Sequence, residues 1–152
     1  MAIALFVGRF QPFHKGHEHA IKSILKKFDK IVIVVGSINK NDEENPYTFA
    51  QRKGMINAVL KNYRSNYRII SIPDTNSDQH WVKNIIKKAK FDVVVTRNAW
   101  TKKCFSEFSI LEQRMLKPRI YNATRIRKLM RSKKKWEDCV PKPILKIIKS
   151  LS

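Results

Sequence analysis

The chain has 152 residues, with 32 Lys and Arg against 12 Asp and Glu, a formal charge of +20 and a pI near 10.3. That length suits one domain over residues 1–152, and the lack of any apolar run near the roughly 20 residues of a spanning helix predicts no membrane segment. Cys104 and Cys139 make neither a disulfide framework nor a paired metal-ligand spacing, and the N-terminus has no signal-peptide layout, so a cytoplasmic protein with reduced thiols is expected.

Such a charge prompts a nucleic-acid hypothesis. Basic residues, however, are scattered along the whole chain, with one concentration at residues 125–135. This distribution can bind polyanions non-specifically, concentrate triphosphate substrates or keep the surface soluble, and charge alone does not choose among these.

The first element is the apolar run Ala2-Ile3-Ala4-Leu5-Phe6-Val7, followed by Gly8-Arg9-Phe10-Gln11-Pro12-Phe13-His14-Lys15-Gly16-His17 and then an amphipathic segment. The order predicts strand, tight loop and helix. Such a junction leaves unpaired amides at the helix start, which together with the helix dipole attract anions, phosphate foremost. His14 and His17 are three apart, so both imidazoles can face one anion, donating hydrogen bonds and carrying a proton near neutral pH. Gly16 is expected to leave the backbone uncovered for a phosphate. A His-x-x-His metal site with His19 is the competing reading, but no Cys or acidic cluster completes its ligand set, so no metal site is expected. Taken singly, the histidines are ordinary surface residues.

Ala20, Ile21, Ile24, Leu25 and Phe28 then recur at helical spacing opposite Lys22, Lys26 and Lys27. Lys30-Ile31-Val32-Ile33-Val34-Val35-Gly36 predicts a parallel strand buried on both faces, completing a βαβ unit. Residues 37–45 are polar and aperiodic, a loop at a strand's carboxyl end, where open α/β sheets place ligands. Thr48 and Gln51 have capping-box spacing for a helix carrying Phe49, Met55, Ile56, Val59 and Leu60, with Arg52 expected as a surface or sheet-edge charge. Residues 67–72 predict a third strand, Asp78 caps a helix bearing Trp81, Val82, Ile85 and Ile86, and residues 91–96 predict a fourth strand. From spacing alone Trp81 fills core space. Asn98 follows the fourth strand, in position to read a nucleotide, and Ser109-Ile110-Leu111 is a short candidate fifth strand. Asn122 or Thr124 can cap a basic amphipathic helix with Ile126, Leu129 and Met130, whose start offers a second anion site, with the Thr124 hydroxyl and the Arg127 fork as phosphate donors. A last amphipathic helix covers residues 143–148. Strands alternating with helices predict an α/β, doubly wound Rossmann-like parallel sheet.

Gly8-x-Phe10-x-Pro12-x-His14-x-Gly16-His17 resembles the signature loop of the nucleotidyltransferase superfamily that includes the archaeal nicotinamide-nucleotide adenylyltransferases. Asn45-Pro46-Tyr47-Thr48 with Arg52, the Trp81-Val82 pair, Asn98, Thr124-x-Ile126-Arg127, and the Trp136-Glu137 and Val140-Pro141 pairs extend the resemblance from end to end. The resemblance implies adenylyl transfer from ATP to nicotinamide mononucleotide, giving NAD and pyrophosphate. On it, His14, His17 and Arg127 are catalytic candidates; Gly8, Arg9, Phe10, Gly16, Asn98 and Thr124 join them on ATP; and Phe10, Asp78, Trp81 and Val82 hold the mononucleotide, Trp81 at its nicotinamide end. It also implies Mg²⁺ carried on the ATP phosphates and a homo-oligomer, often a hexamer. Asp78 stands where the family usually has Asn, Arg97 replaces a glycine, and Asn122 and Ala123 replace Ser and Gly. An ionised Asp can accept from the carboxamide NH₂ and repels a nicotinate carboxylate, so the amide substrate is expected. A sibling enzyme using another acceptor or CTP, and a basic nucleic-acid-binding module on a degenerate site, are the alternatives.

Overall fold

The computed structural model describes residues 2–151. Among them, five strands, β1 (Ile3–Gly8), β2 (Lys30–Val35), β3 (Tyr67–Ser71), β4 (Val93–Val95) and β5 (Ser109–Leu111), pair in parallel in the order β3-β2-β1-β4-β5. The intervening helices are α1 (Lys15–Lys27), α2 (Phe49–Val59), α3 (Asp78–Lys88), α4 (Ala99–Cys104), α5 (Ala123–Arg131) and α6 (Lys142–Ser150). No helix among the described residues is long and apolar enough to cross a membrane.

The two-residue period of the strands splits the core into two layers. Ala4 and Phe6 of β1 with Ile31, Ile33 and Val35 of β2 pack against Ile21 and Ile24 of α1, Met55 and Ile56 of α2 and Ile144 of α6. Leu5, Val32 and Val34 face the other way, onto Trp81, Val82 and Ile85 of α3 and onto Phe105. Burial on both faces is why the strands read as continuous apolar runs. The chain moves outward from β1 to β3, then returns across β1 to build β4 and β5 on its other side. Loops leaving the carboxyl ends of β1 and β4 therefore diverge, and the crevice between them is where a sheet of this topology receives a ligand.

Local chemistry sets most element ends. Thr48 Oγ1 accepts from the Gln51 amide while Gln51 Oε1 accepts from the Thr48 amide, forming the anticipated capping box. Asn122 rather than Thr124 caps α5, its Oδ1 accepting from Arg125 N at 2.8 Å. Two expectations need correction. Ser77, not Asp78, caps α3, because its Oγ reaches the His80 amide at 3.2 Å and leaves Asp78 as the first helical residue. The fourth strand is three residues long, and the chain beyond it turns directly into α4, capped by Asn98.

Candidate active site

The loop after β1 turns sharply at Phe10, which has a left-handed φ of 52° and tucks its ring beneath the backbone. A Cβ on Gly8 would stand 2.8 Å from that ring, which is why position 8 must be glycine. The Phe10 ring packs on Phe13 and, edge-on, on His17 at 4.6 Å between centroids. Phe10 is thus a buried support for His17, and it also borders the cavity described below.

His14 is the N-cap of α1, and its Nδ1 accepts from the amides of Gly16 at 3.0 Å and His17 at 3.4 Å. His17 Nδ1 accepts in turn from the His14 amide at 3.1 Å. This reciprocal capping box corrects two expectations. The helix-start amides of Gly16 and His17 are bonded to an imidazole instead of facing an anion. Gly16 makes room for the His14 ring, since a Cβ there would meet it at 2.8 Å. Both Nδ1 atoms act as acceptors, so the bonding assigns both rings as neutral tautomers with the proton on Nε2, available to donate. The rings stack at 3.7 Å between centroids. Burial lowers the His14 pKa to about 4; burial and then the neighbouring His14 hold His17 well below the ordinary value. The expectation of imidazoles charged near neutral pH gives way to neutral donors.

Arg127 arrives from α5, 3% exposed. Its Nη1 donates to the Gln11 carbonyl at 2.8 Å, while Nη2 donates to Glu44 Oε2 at 2.7 Å and to Thr124 Oγ1 at 3.4 Å. The bond to Gln11 ties the second half of the chain to the histidine loop. Between them lies a cavity of about 310 Å³, bordered by Arg9, His14, His17, Ala123, Thr124 and Arg127. Its predicted triphosphate residues come from the two ends of the sequence.

Two further cavities continue it along the carboxyl edge of the sheet. One, of about 320 Å³, shares His17 and is bordered by Thr96, Arg97, Asn98 and Gln113. The other, of about 250 Å³, shares Arg9 and is bordered by Gly8, Ser37, Asp74, Trp81, Asn98 and Trp100. Asn98 lies on both, with its Oδ1 committed to capping α4 through Thr101 N at 2.9 Å. Trp81 fills core space, as its spacing suggests, and also presents an edge to the smaller cavity beside Trp100, at 4.7 Å between centroids.

Two of the mononucleotide candidates fall elsewhere. Asp78 and Val82 border a separate groove between α3 and the end of α4, and the Asp78 carboxylate accepts from the Trp100 indole N–H at 3.3 Å. That indole also borders the 250 Å³ cavity, where Asp74 is the lining carboxylate. Its Oδ1 accepts from the Ser37 hydroxyl at 2.8 Å.

Arg52 is also corrected, from surface charge to core. It is fully buried, with Nη1 donating to the Gly36 carbonyl at 2.7 Å and the Arg9 carbonyl at 2.9 Å, and Nε to Thr48 O at 3.3 Å. It pins the carboxyl ends of β1 and β2 together beneath the site. Burial, then the nearby Arg9, lowers its pKa. The sequence signal is its place one turn into a helix that starts at the site loop. Among the described residues, no group of three His, Cys, Asp or Glu could hold a metal ion.

A model of the cytidylyltransferase-like family matches residues 5–140. The chain is 36% identical over 152 residues to the nicotinamide-nucleotide adenylyltransferase of Methanococcus maripaludis, covering 97% of this chain and 89% of that one. It is 35% identical over 157 residues to the enzyme of the same name from Pyrococcus horikoshii, covering 99% and 84%. Among solved structures it is similar to a bifunctional NMN adenylyltransferase/ADP ribose pyrophosphatase from Francisella tularensis, complexed with AMP and a manganese ion, with a TM-score of 0.78 and 31% identity. That match covers 92% of this chain, which spans 44% of the bifunctional one.

Proposed function

The chain belongs to the cytidylyltransferase-like family, and from that premise we propose that it is a nicotinamide-nucleotide adenylyltransferase, moving AMP from ATP to nicotinamide mononucleotide. The observation that carries this reading is the single cavity bordered both by His14 and His17 and by Thr124 and Arg127. In the reaction an oxygen of the mononucleotide 5′-phosphate attacks the α-phosphorus. The bond from that phosphorus to the α,β-bridging oxygen breaks, and its electron pair leaves with pyrophosphate. The transfer requires no side-chain nucleophile. It requires two mutually repelling anions to be aligned, and the charge that develops on the α-phosphoryl oxygens and the leaving group to be met by fixed donors.

In this reading the Nε2–H groups of His14 and His17 donate to the α-phosphoryl oxygens. The capping box supports that role, since it holds both rings in the donating tautomer without requiring protonation. Arg127, Thr124 and Arg9 take the β- and γ-phosphates, with Asn98 and Gly8 bordering the rest of the nucleotide. Trp81 takes the nicotinamide ring in the adjoining cavity. The divalent cation is Mg²⁺, entering as part of the ATP complex on phosphate oxygens, with no protein residue assigned to it.

The test is a pyrophosphate-release assay with ATP or CTP and a panel of phosphate acceptors. The expected result is equimolar NAD and pyrophosphate, with ATP and nicotinamide mononucleotide preferred. Clear preference for another acceptor overturns the substrate assignment, and salt-sensitive binding of RNA or duplex without pyrophosphate release overturns the reaction. The hexamer implied by the resemblance is checked by sedimentation, where a single monomeric species at working concentration counts against it.

A further inference from the structure

The loop between β2 and α2 is the most acidic stretch of a strongly basic chain, with Asp42, Glu43 and Glu44 in succession. Asp42 shapes the turn, its Oδ1 accepting from Glu44 N at 3.0 Å, Asn45 N at 2.9 Å and Asn45 Nδ2 at 2.9 Å. The two carboxylates that follow then reach α5. Glu44 Oε2 lies 2.7 Å from Arg127 Nη2, and Glu43 Oε1 lies 3.2 Å from Arg131 Nε. Asn45 Oδ1 accepts from Arg9 Nη1 at 3.3 Å. The loop is therefore fastened to three arginines, and two of these, Arg9 and Arg127, border the 310 Å³ cavity.

The two partners of the Glu44 pair differ sharply in environment. The Arg127 side chain is 3% exposed and the Glu44 side chain 55%. Arg127 Nε is buried with no hydrogen-bond partner among the described residues, so the guanidinium retains donor capacity beyond its bonds to Gln11, Glu44 and Thr124. A buried guanidinium without a counter-charge is costly, and a carboxylate oxygen at 2.7 Å supplies the charge and geometry a phosphate oxygen would. The carboxylate itself gives up little hydration in forming the pair. A single half-solvated carboxylate is a weaker partner than a triphosphate, which brings several charges to the same donors.

We propose that Glu44 is a resident counter-ion of the nucleotide site, which the incoming triphosphate displaces from Arg127 as it binds. This rests on the reading of the cavity as a triphosphate site. Glu44 keeps the guanidinium paired before nucleotide arrives and competes with ATP for it, so nucleotide binding frees the Glu44 carboxylate from α5 while the Glu43 pair with Arg131 persists.

The test measures dissociation constants for MgATP and for inorganic tripolyphosphate in the wild type, Glu44→Gln, Glu44→Ala and Glu43→Gln, with nicotinamide mononucleotide as a third probe. Removing a competing charge beside a desolvated cation is expected to tighten MgATP and tripolyphosphate by the same factor, about tenfold, in both Glu44 variants. Mononucleotide affinity is expected to stay unchanged. Glu43→Gln, altering a solvent-exposed pair outside the cavity, is expected to shift neither polyphosphate by more than about twofold. A structural role for Glu44 would not tighten tripolyphosphate selectively. Unchanged or weaker polyphosphate binding in both Glu44 variants overturns this inference and leaves the enzyme assignment standing. A wild type that binds neither MgATP nor tripolyphosphate overturns the site reading and the inference together.

Discussion

Substituting His14 in two ways separates its structural task from its chemical one. His14→Ala removes the acceptor of the Gly16 and His17 amides and a ring stacked on His17. Loss of an N-cap costs about 1 kcal/mol, and emptying the space of a ring that is 3% exposed adds about as much again, for about 2 kcal/mol in all. For a chain of this length that lowers Tm by about 4–8 °C. His14→Asn restores an acceptor at a position where Asn caps as well as any residue, so about half of that loss returns. The Asn side chain is too short to place a donor where Nε2–H stood. Both variants are therefore expected to lose about 10²–10³ in turnover under saturating substrates, the cost of one positioned donor at a developing charge. Thermal melts and a coupled pyrophosphate assay read the two effects separately. Turnover within threefold of wild type in His14→Asn would refute the donor role, and equal melting of the two variants would refute the capping role.

His17→Ala is expected to lose about 10²–10³ in turnover, and near-full turnover would remove His17 from the mechanism. The pKa of His14 is lowered in the folded state, so its contribution to stability is complete above about pH 6.5 and disappears as pH falls toward about 4. By linkage that is about 3 kcal/mol, seen as a slope in Tm over this window that His14→Asn reduces, the buried His17 supplying the slope that remains. Arg52→Met strips the Gly36 and Arg9 carbonyls of their donor and is expected to cost about 3 kcal/mol by urea unfolding, whereas a loss below about 0.5 kcal/mol would return Arg52 to the status of a surface charge. Asp78→Asn is expected to change the ratio of nicotinamide to nicotinate mononucleotide turnover by less than about threefold, because the Asp78 carboxylate is bonded to the Trp100 indole and borders a different groove.

Where local pattern decides the outcome, the sequence was a reliable guide. The β-branched run at residues 30–36, the Thr48 and Gln51 spacing and the β1-to-α1 junction each carry their own explanation within a few residues, and each forms as read. The short strand at residues 109–111 also forms, at the sheet edge. Features that depend on tertiary direction were illegible. Arg52 looks like any helical cation until β1 and β2 bring two carbonyls over it. Asp78 has the right position in the chain, but the helix turn aims it at Trp100. Gly16 reads equally well as a phosphate approach or as space for an imidazole, and only the placement of the His14 ring separates these. The acidic triplet at residues 42–44 reads as a solvated turn, since nothing local reveals that Arg127 and Arg131 lie 83 and 88 residues onward beside it.

The central claim is that one triphosphate is gripped from both ends of the chain. A double-mutant cycle on the dissociation constant of MgATP, using wild type, His17→Ala, Arg127→Ala and the double variant, tests it most directly. Each single change is expected to weaken binding, and the pair to depart from additivity by at least about 0.5 kcal/mol, as for residues acting on one ligand group. Wild-type affinity in Arg127→Ala, or strict additivity of the two losses, would contradict it.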